Sequence, residues 1–142
     1  MRTLLIVFLC VYCSVSASEI KPFTTDGCSV FPDGDLDNND KWMQCCIRHD
    51  YAYWKGGTEV EREQADAELK QCVAELGEDT ISTIMHMGVR FGGEPFFPTW
   101  YRWGYGWYYS RGYAKLTKEE EQQVRTRMLE LRDLIDEFLT DQ

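Results

Sequence analysis

The sequence is short of positive charge. Its 15 lysine and arginine residues stand against 24 aspartate and glutamate residues, which gives a formal net charge of −9 at pH 7. Proteins that bind nucleic acid neutralise phosphate groups with clustered basic side chains. The deficit therefore argues against nucleic acid as a partner, and it disfavours strongly anionic membranes.

Long apolar runs are absent beyond the first residues. No later stretch reaches the roughly 18 consecutive apolar residues that a transmembrane helix requires. The early run from Leu4 to Val11 is shorter than that, follows Arg2, and precedes small residues at Val15-Ser16-Ala17 that suit signal-peptidase cleavage. We therefore expect residues 1–17 to be a signal peptide and residues 18–142 to form one secreted domain that is not an integral membrane protein.

Cysteine is scarce in the expected mature chain, but its number is even. Two of the six cysteines fall within residues 1–17, which leaves Cys28, Cys45, Cys46 and Cys72. An even set in a secreted chain predicts two disulfides. A bond between neighbouring Cys45 and Cys46 would be strained, so two pairings remain open.

Capping signals predict two long helices joined by a short turn. The first is expected to begin near Asp40 and to end at Gly56-Gly57. Thr58 with Glu61 forms a capping-box pattern that opens the second, which Gly77 ends. Because the turn is short, the two helices should be antiparallel.

The rest of the chain predicts two more helices around an aromatic segment, with little sign of strands. A shorter helix is expected from about Asp79 to Met87. Thr117 with Glu120 predicts the start of a final helix. That helix is amphipathic, with one apolar face made of Val124, Met128, Leu131, Ile135 and Phe138.

Helix geometry relates the cysteines to two polar residues. His49 lies four residues after Cys45, and residues four apart share a helix face. If Cys45 bonds Cys72 in an antiparallel pair, His49 comes beside the level of Asp66. An imidazole next to a carboxylate is the arrangement that hydrolases use to activate a nucleophile.

The first predicted helix resembles the active-site helix of secreted phospholipase A2. That family has the pattern Cys-Cys-x-x-His-Asp-x-Cys-Tyr, and this chain reads Cys45-Cys46-Ile47-Arg48-His49-Asp50-Tyr51-Ala52-Tyr53. The family's second helix carries Cys-Asp-x5-Cys, and Ala65, Asp66 and Cys72 occupy that pattern here. The family's usual disulfide is missing at both ends together, at Ala52 and Ala65, which supports the alignment. The resemblance covers roughly residues 26–72.

The resemblance implies a mainly α, phospholipase A2-like fold. Two antiparallel helices would be linked by disulfides, with an N-terminal calcium loop, an aromatic-rich region and the C-terminal amphipathic helix around them. The expected disulfides are Cys28–Cys46, which brings the loop to the first helix, and Cys45–Cys72.

The resemblance also implies a catalytic pair and a reaction. His49 would take a proton from a water molecule as that water attacks the sn-2 ester of a glycerophospholipid, and Asp66 would orient the imidazole. The substrate would be met at a membrane or micelle interface. The products would be a fatty acid and a lysophospholipid.

A calcium ion is the implied cofactor. Asp50 would supply a bidentate carboxylate, and backbone carbonyls of Gly27, Ser29 and Phe31 would complete part of an oxygen shell. This loop has fewer glycines than the family's usual one, and Asp26 is an alternative ligand.

The chain departs from better-known members of the family at its start. Only residues 18–25 precede the loop, which is too few for the N-terminal helix that usually walls the acyl channel. Residues 91–113, of which 11 of 23 are aromatic, are the expected replacement, and Trp100, Trp103 and Trp107 form a possible lipid interface. Packing of this segment over the helix pair is an equally open interpretation.

Two other functions remain open. The divergent loop fits a catalytically silent, phospholipase-like binding protein, although such a protein has no chemical need for His49, Asp50 and Asp66 together. A structural secreted protein that assembles through its aromatic segment is the other alternative. The oligomeric state is left open, since the apolar face of the final helix could seat a partner.

Overall fold

The fold is all-helical within the described part of the chain. The computed structural model describes residues 18–140, and these contain no β-strand. The elements are α1 (Met43–Lys55), α2 (Glu59–Glu75), α3 (Asp79–Gly92) and α4 (Lys118–Thr140), with a short 3-10 helix at Tyr109–Arg111. The mainly α-helical prediction is confirmed at this level. The predicted signal peptide, residues 1–17, lies outside the described residues.

None of these helices is both long enough and apolar enough to cross a membrane.

Helices α1 and α2 form an antiparallel pair joined by the turn at residues 56–58. The predicted capping box opens α2: the Glu61 backbone N–H donates to the Thr58 hydroxyl, and the Glu61 carboxylate accepts from the Thr58 backbone N–H. At the far end of the pair, the Cys45–Cys72 disulfide joins the two helices with its Cα atoms 5.8 Å apart. The register of α1 against α2 is therefore fixed at both ends.

The second disulfide, Cys28–Cys46, pins the irregular N-terminal loop to α1, with Cα atoms 5.0 Å apart. Cys45 and Cys46 leave α1 about 100° apart, so each can tether a different element. Both bonds are the pairings that the resemblance implies.

Two helix boundaries differ from the prediction. Helix α1 begins at Met43 after Trp42, and Asp40 contributes only its backbone carbonyl to the Met43 N–H. Helix α3 runs past Met87 to Gly92. A single interior glycine such as Gly88 costs a helix only about 1 kcal/mol, and the packing of Met85 and Val89 against the core offsets that cost.

The aromatic segment folds back over the turn between α1 and α2. The indole N–H of Trp103 donates to the Gly57 carbonyl at 2.9 Å, and that of Trp107 donates to the Lys55 carbonyl at 2.7 Å. Both side chains are only 1% exposed. Trp103 and Trp107 therefore cannot belong to the predicted lipid interface, because both rings are buried. Their indole N–H groups donate to carbonyls in the turn and at the end of α1.

Helix α4 is held at its N-terminal half. The predicted capping box is present, with the Thr117 N–H donating to the Glu120 carboxylate and the Glu120 N–H donating to the Thr117 hydroxyl. Val124 is buried against Ile20, Trp54 and Trp107. Further along, the apolar face predicted for this helix is exposed to solvent.

Candidate active site

His49 and Asp66 meet across the α1–α2 interface. The Nε2 atom of His49 lies 2.8 Å from Oδ1 of Asp66, and both side chains are buried. Asp66 sits six residues before Cys72 on α2, and His49 sits four residues after Cys45 on α1. The antiparallel pair crosslinked by Cys45–Cys72 thus brings the two predicted catalytic residues together.

The Asp66 carboxylate is fully buried, and three side chains donate to it. Besides His49, the Tyr53 hydroxyl donates to Oδ1 at 2.7 Å, and a guanidinium N–H of Arg90 donates to Oδ2 at 3.0 Å. Burial alone would raise the pKa of Asp66, but the hydrogen bonds from His49, Tyr53 and Arg90 outweigh it and hold that pKa below its usual value. Asp66 is therefore a carboxylate at neutral pH. Burial and the nearby Asp66 raise the pKa of Tyr53, so its hydroxyl stays a neutral donor.

Arg62 holds the Tyr53 hydroxyl that donates to Asp66. Its side chain has no exposed surface, and its Nε donates to the Tyr53 hydroxyl at 3.2 Å. The remaining N–H groups donate to Glu94, to Tyr113, and to the backbone carbonyls of Val89 and Arg90. The buried Arg62 guanidinium therefore donates to a carboxylate, two hydroxyls and two carbonyls, and these bonds tie α2 to the end of α3.

Sequence reasoning missed this support. Arg62 lies four residues before Asp66 on the same face of α2, which is a signal available from spacing alone. Arg90 offers no such signal, since it belongs to a stretch of α3 that was not predicted to be helical.

Gly93 leaves room for the Tyr53 side chain. A Cβ atom placed on Gly93 would collide with the Tyr53 hydroxyl and ring edge. The hydroxyl could not then remain on Asp66 without a shift of the backbone at the end of α3.

A cavity of about 200 Å³ opens beside the dyad. Its polar side consists of His49, Asp50 and the loop at residues 27–31. Its apolar side comes mainly from one face of α3, namely Ile84, Met85, Gly88, Val89 and Gly92, together with Leu69 and Tyr101. The aromatic segment, residues 91–113, was the predicted wall, and it contributes Gly92, Gly93 and Tyr101 to the lining. Most of the apolar lining comes from α3, whose extension beyond Met87 adds Gly88 and Val89 to it.

Asp50 is a buried carboxylate without an ion-pair partner among residues 18–140. Only the Thr25 hydroxyl donates to it, at 2.6 Å to Oδ2. Burial raises the pKa of Asp50 to about 7, and the neighbouring carboxylates of Asp26 and Asp33 act in the same direction. A cation is the natural partner for such a group.

The loop before α1 has an unusual backbone conformation at two residues. Gly27 and Ser29 both have positive φ, at 74° and 57°. The Asp33 carboxylate accepts from the Cys28 N–H at 2.8 Å and fills the space in which a Cβ on Gly27 would lie. Gly27 is therefore required both by its backbone conformation and by the close approach of Asp33.

The predicted ligands surround the same cavity. Gly27, Ser29 and Phe31 line it together with Asp50. Asp26, the alternative ligand, does not line this cavity. Its carboxylate accepts hydrogen bonds from the Trp100 indole at 3.1 Å and from the Ser29 hydroxyl at 2.9 Å.

The Asp50 carboxylate and the backbone carbonyls of the loop are oxygen donors of the kind that calcium binds. In the part of the chain that the structure describes, no three His, Cys, Asp or Glu side chains form a metal cluster. An ion here would depend on one carboxylate and on backbone carbonyls, which are the oxygen donors that calcium accepts.

Comparison of the chain with models of protein families, with curated proteins and with solved structures gives no match.

Replacing Gly93 by alanine should displace Tyr53 from Asp66. We expect Gly93→Ala to lower the free energy of unfolding by about 1–3 kcal/mol, the usual cost of overpacking a filled site. Urea unfolding followed by circular dichroism measures this.

Gly88→Ala is the matched control, because a Cβ atom at Gly88 meets nothing within 4 Å. Its stability should equal or slightly exceed that of wild type, since alanine favours a helix. Equal stability of both variants would show that Tyr53 does not depend on the space at Gly93.

Replacing Asp50 by asparagine should stabilise the metal-free protein at neutral pH. The folded-state pKa of about 7 lies above the usual value of 3.8. The stability that this group contributes is therefore complete below pH 3.8 and is lost as pH rises through 7. In chelator, the free energy of unfolding of Asp50→Asn should rise relative to that of wild type by about 2–4 kcal/mol as the pH goes from 4.5 to 8. Urea unfolding at several pH values measures this difference. Asp37→Asn, on the exposed part of the loop, is the control. A gap that does not change with pH would mean that Asp50 ionises normally.

Proposed function

We propose that this protein is a secreted, calcium-dependent phospholipase A2. It hydrolyses the sn-2 ester of glycerophospholipids and releases a fatty acid and a lysophospholipid. The observation that carries the proposal is the His49 ring, which Asp66 holds at the wall of a cavity that also contains Asp50. The resemblance of residues 45–53 to the active-site helix of that family supports the same conclusion.

His49 acts as the general base in this mechanism. Its Nε2 atom is committed to Asp66, so Nδ1 is the nitrogen that takes the proton from water. Within residues 18–140, Nδ1 has no hydrogen-bond partner in the protein, and the ring lines the cavity. Asp66 stays ionised and stabilises the imidazolium that forms.

Asp50 and the carbonyls of Gly27, Ser29 and Phe31 are the groups that would hold calcium. When bound, the ion supplies positive charge against the ester carbonyl oxygen and the phosphate of the substrate. Asp50 binds a cation only as a carboxylate, so its protonation below about pH 7 competes with binding.

The apolar face of α3 is suited to the acyl chain. Ile84, Met85 and Val89 lie along one side of the cavity, and Gly88 keeps that side open. This face takes the place of the N-terminal helix that residues 18–25 are too short to form.

Exposed aromatic residues lie next to the cavity-lining positions. Phe91 is 77% exposed and adjoins Gly92, and Trp100 is 66% exposed and adjoins Tyr101. Phe96 is exposed as well. Aromatic rings at an opening favour contact with a lipid surface.

The central experiment is hydrolysis of mixed phospholipid vesicles by wild type and His49→Gln, with calcium or with chelator. We expect turnover by wild type in calcium, a loss of roughly 100-fold or more in the variant, and no turnover in chelator. Release of the sn-2 fatty acid is the measurement.

His86→Gln is the matched control. It removes the other histidine of the chain, which does not line the cavity. The control should retain wild-type turnover. Equal rates for wild type and His49→Gln would reject the mechanism, and no turnover in any sample would favour the silent-binding alternative.

Phe91→Ser should weaken the action on vesicles selectively. Removing an exposed ring reduces apolar contact with lipid, so we expect a lower rate on zwitterionic vesicles and an unchanged rate on a monomeric short-chain phospholipid. Val60→Ser, a change on α2 at a residue that is 73% exposed, is the comparison. Equal losses on both substrates would place Phe91 in the site rather than at the interface.

A further inference from the structure

A second, smaller pocket adjoins the cavity beside His49. Its volume is about 140 Å³, several times the roughly 30 Å³ that one water molecule occupies in the liquid. It shares Ser29, Asp50 and Tyr101 with the cavity beside His49. The rest of its lining consists of Thr24, Thr25, Asp26, Trp100 and Tyr105. A chemical group bound in this pocket would therefore lie next to the site proposed for the ester and the phosphate.

Aromatic rings form much of the pocket wall. The rings of Trp100 and Tyr101 meet almost at right angles, at 83°, with their centroids 5.2 Å apart. The Trp100 indole N–H donates to Asp26 at 3.1 Å, and the Tyr105 hydroxyl donates to the Thr24 carbonyl at 2.6 Å. Because the polar ends of Trp100 and Tyr105 are already bonded to the protein, these two side chains offer a ligand chiefly their ring surfaces.

The pocket is acidic. Its charged residues are Asp26 and Asp50, and the lining contributed by the described residues includes no lysine, arginine or histidine. The Asp26 carboxylate is held beside the rings, since it accepts from the Trp100 N–H and from the Ser29 hydroxyl at 2.9 Å. Both of these donors are neutral, so they leave the negative charge uncompensated. A pocket lined by one sign of charge concentrates ligands of the opposite sign, and here that ligand is a cation.

The chemistry of the lining favours an organic cation. Aromatic rings are not ligands for calcium or magnesium, which bind oxygen atoms. A primary ammonium group is strongly hydrated and needs acceptors for its three N–H donors. A quaternary ammonium group has no N–H, and aromatic rings bind it through the attraction between its charge and their faces. Rings beside a carboxylate therefore suit a quaternary ammonium best.

We propose that this pocket binds the trimethylammonium group of a phosphatidylcholine substrate. The assignment rests on the proposed hydrolysis and adds a headgroup preference to it. In phosphatidylcholine a two-carbon link joins the phosphate to the quaternary nitrogen, and the pocket shares Ser29 and Asp50 with the cavity in which the phosphate would bind. Asp26 and Trp100 are exposed, so the pocket opens to solvent on the side where a headgroup would enter.

Hydrolysis of monomeric short-chain phospholipids in calcium tests this preference apart from contact with a lipid surface. Phosphatidylcholine and phosphatidylethanolamine differ only in the methyl groups on nitrogen. We expect kcat/KM of wild type to be about five-fold higher for phosphatidylcholine, because only its headgroup is a quaternary ammonium. In Trp100→Leu, which keeps an apolar side chain but removes the ring, the ratio should fall to about one.

Tyr108→Leu is the matched control, since Tyr108 is 51% exposed and does not line the pocket. This variant should keep the wild-type ratio of the two kcat/KM values. Circular dichroism checks that both variants are folded. Equal kcat/KM values of wild type on the two phospholipids would overturn the headgroup assignment and leave the proposed hydrolysis standing.

Binding of tetramethylammonium in chelator tests the pocket without turnover. Nuclear magnetic resonance follows the indole N–H signals, and the signal that is missing in Trp100→Leu belongs to Trp100. We expect tetramethylammonium chloride to shift this signal saturably and ammonium chloride at the same ionic strength not to do so. Asp26→Asn should bind several-fold more weakly, because it removes one of the two carboxylates, whereas Asp37→Asn on the exposed loop should bind as wild type does.

The two experiments separate this inference from the proposed function. Saturable binding of tetramethylammonium by a protein that hydrolyses neither phospholipid would support the quaternary ammonium site and overturn the proposed hydrolysis. A Trp100 signal that tetramethylammonium does not shift saturably would overturn the site itself.

Discussion

The buried carboxylate of Asp66 is the constraint on which the rest of the structure depends. A charge with no access to water must be matched by donors, or the fold pays a large desolvation penalty. Here the donors come from α1 through His49 and Tyr53, and from α3 through Arg90, while Arg62 on α2 orients Tyr53. Three helices therefore meet at one acid, and none can shift without leaving it unmatched.

Much of this arrangement follows from local sequence signals. Thr58 with Glu61 and Thr117 with Glu120 begin helices where they were expected, because a capping box satisfies backbone groups within four residues. The contact between His49 and Asp66 follows from an antiparallel register that Cys45–Cys72 fixes. These features depend on short spacings, which is why the sequence alone reveals them.

What the sequence did not predict depends on contacts between distant segments. Trp103 is buried because its ring packs on Tyr53, 50 residues away in the sequence, and its N–H reaches the Gly57 carbonyl across 46 residues. The length of α3 is set by packing on α2 and not by Gly88. Arg90 became a partner of Asp66 only because α3 continues that far. Tertiary contacts override local preference in each of these cases.

The uneven burial of the indoles has a spectroscopic consequence. Four of the five tryptophans, Trp42, Trp54, Trp103 and Trp107, lie in the core, while Trp100 is in solvent with its N–H on Asp26. Fluorescence that an aqueous quencher can reach therefore originates mainly from one ring. The indole N–H of Trp100 donates to Asp26, which lines a small pocket together with Asp50. A change in the charge or position of the loop before α1 should therefore change the fluorescence of Trp100.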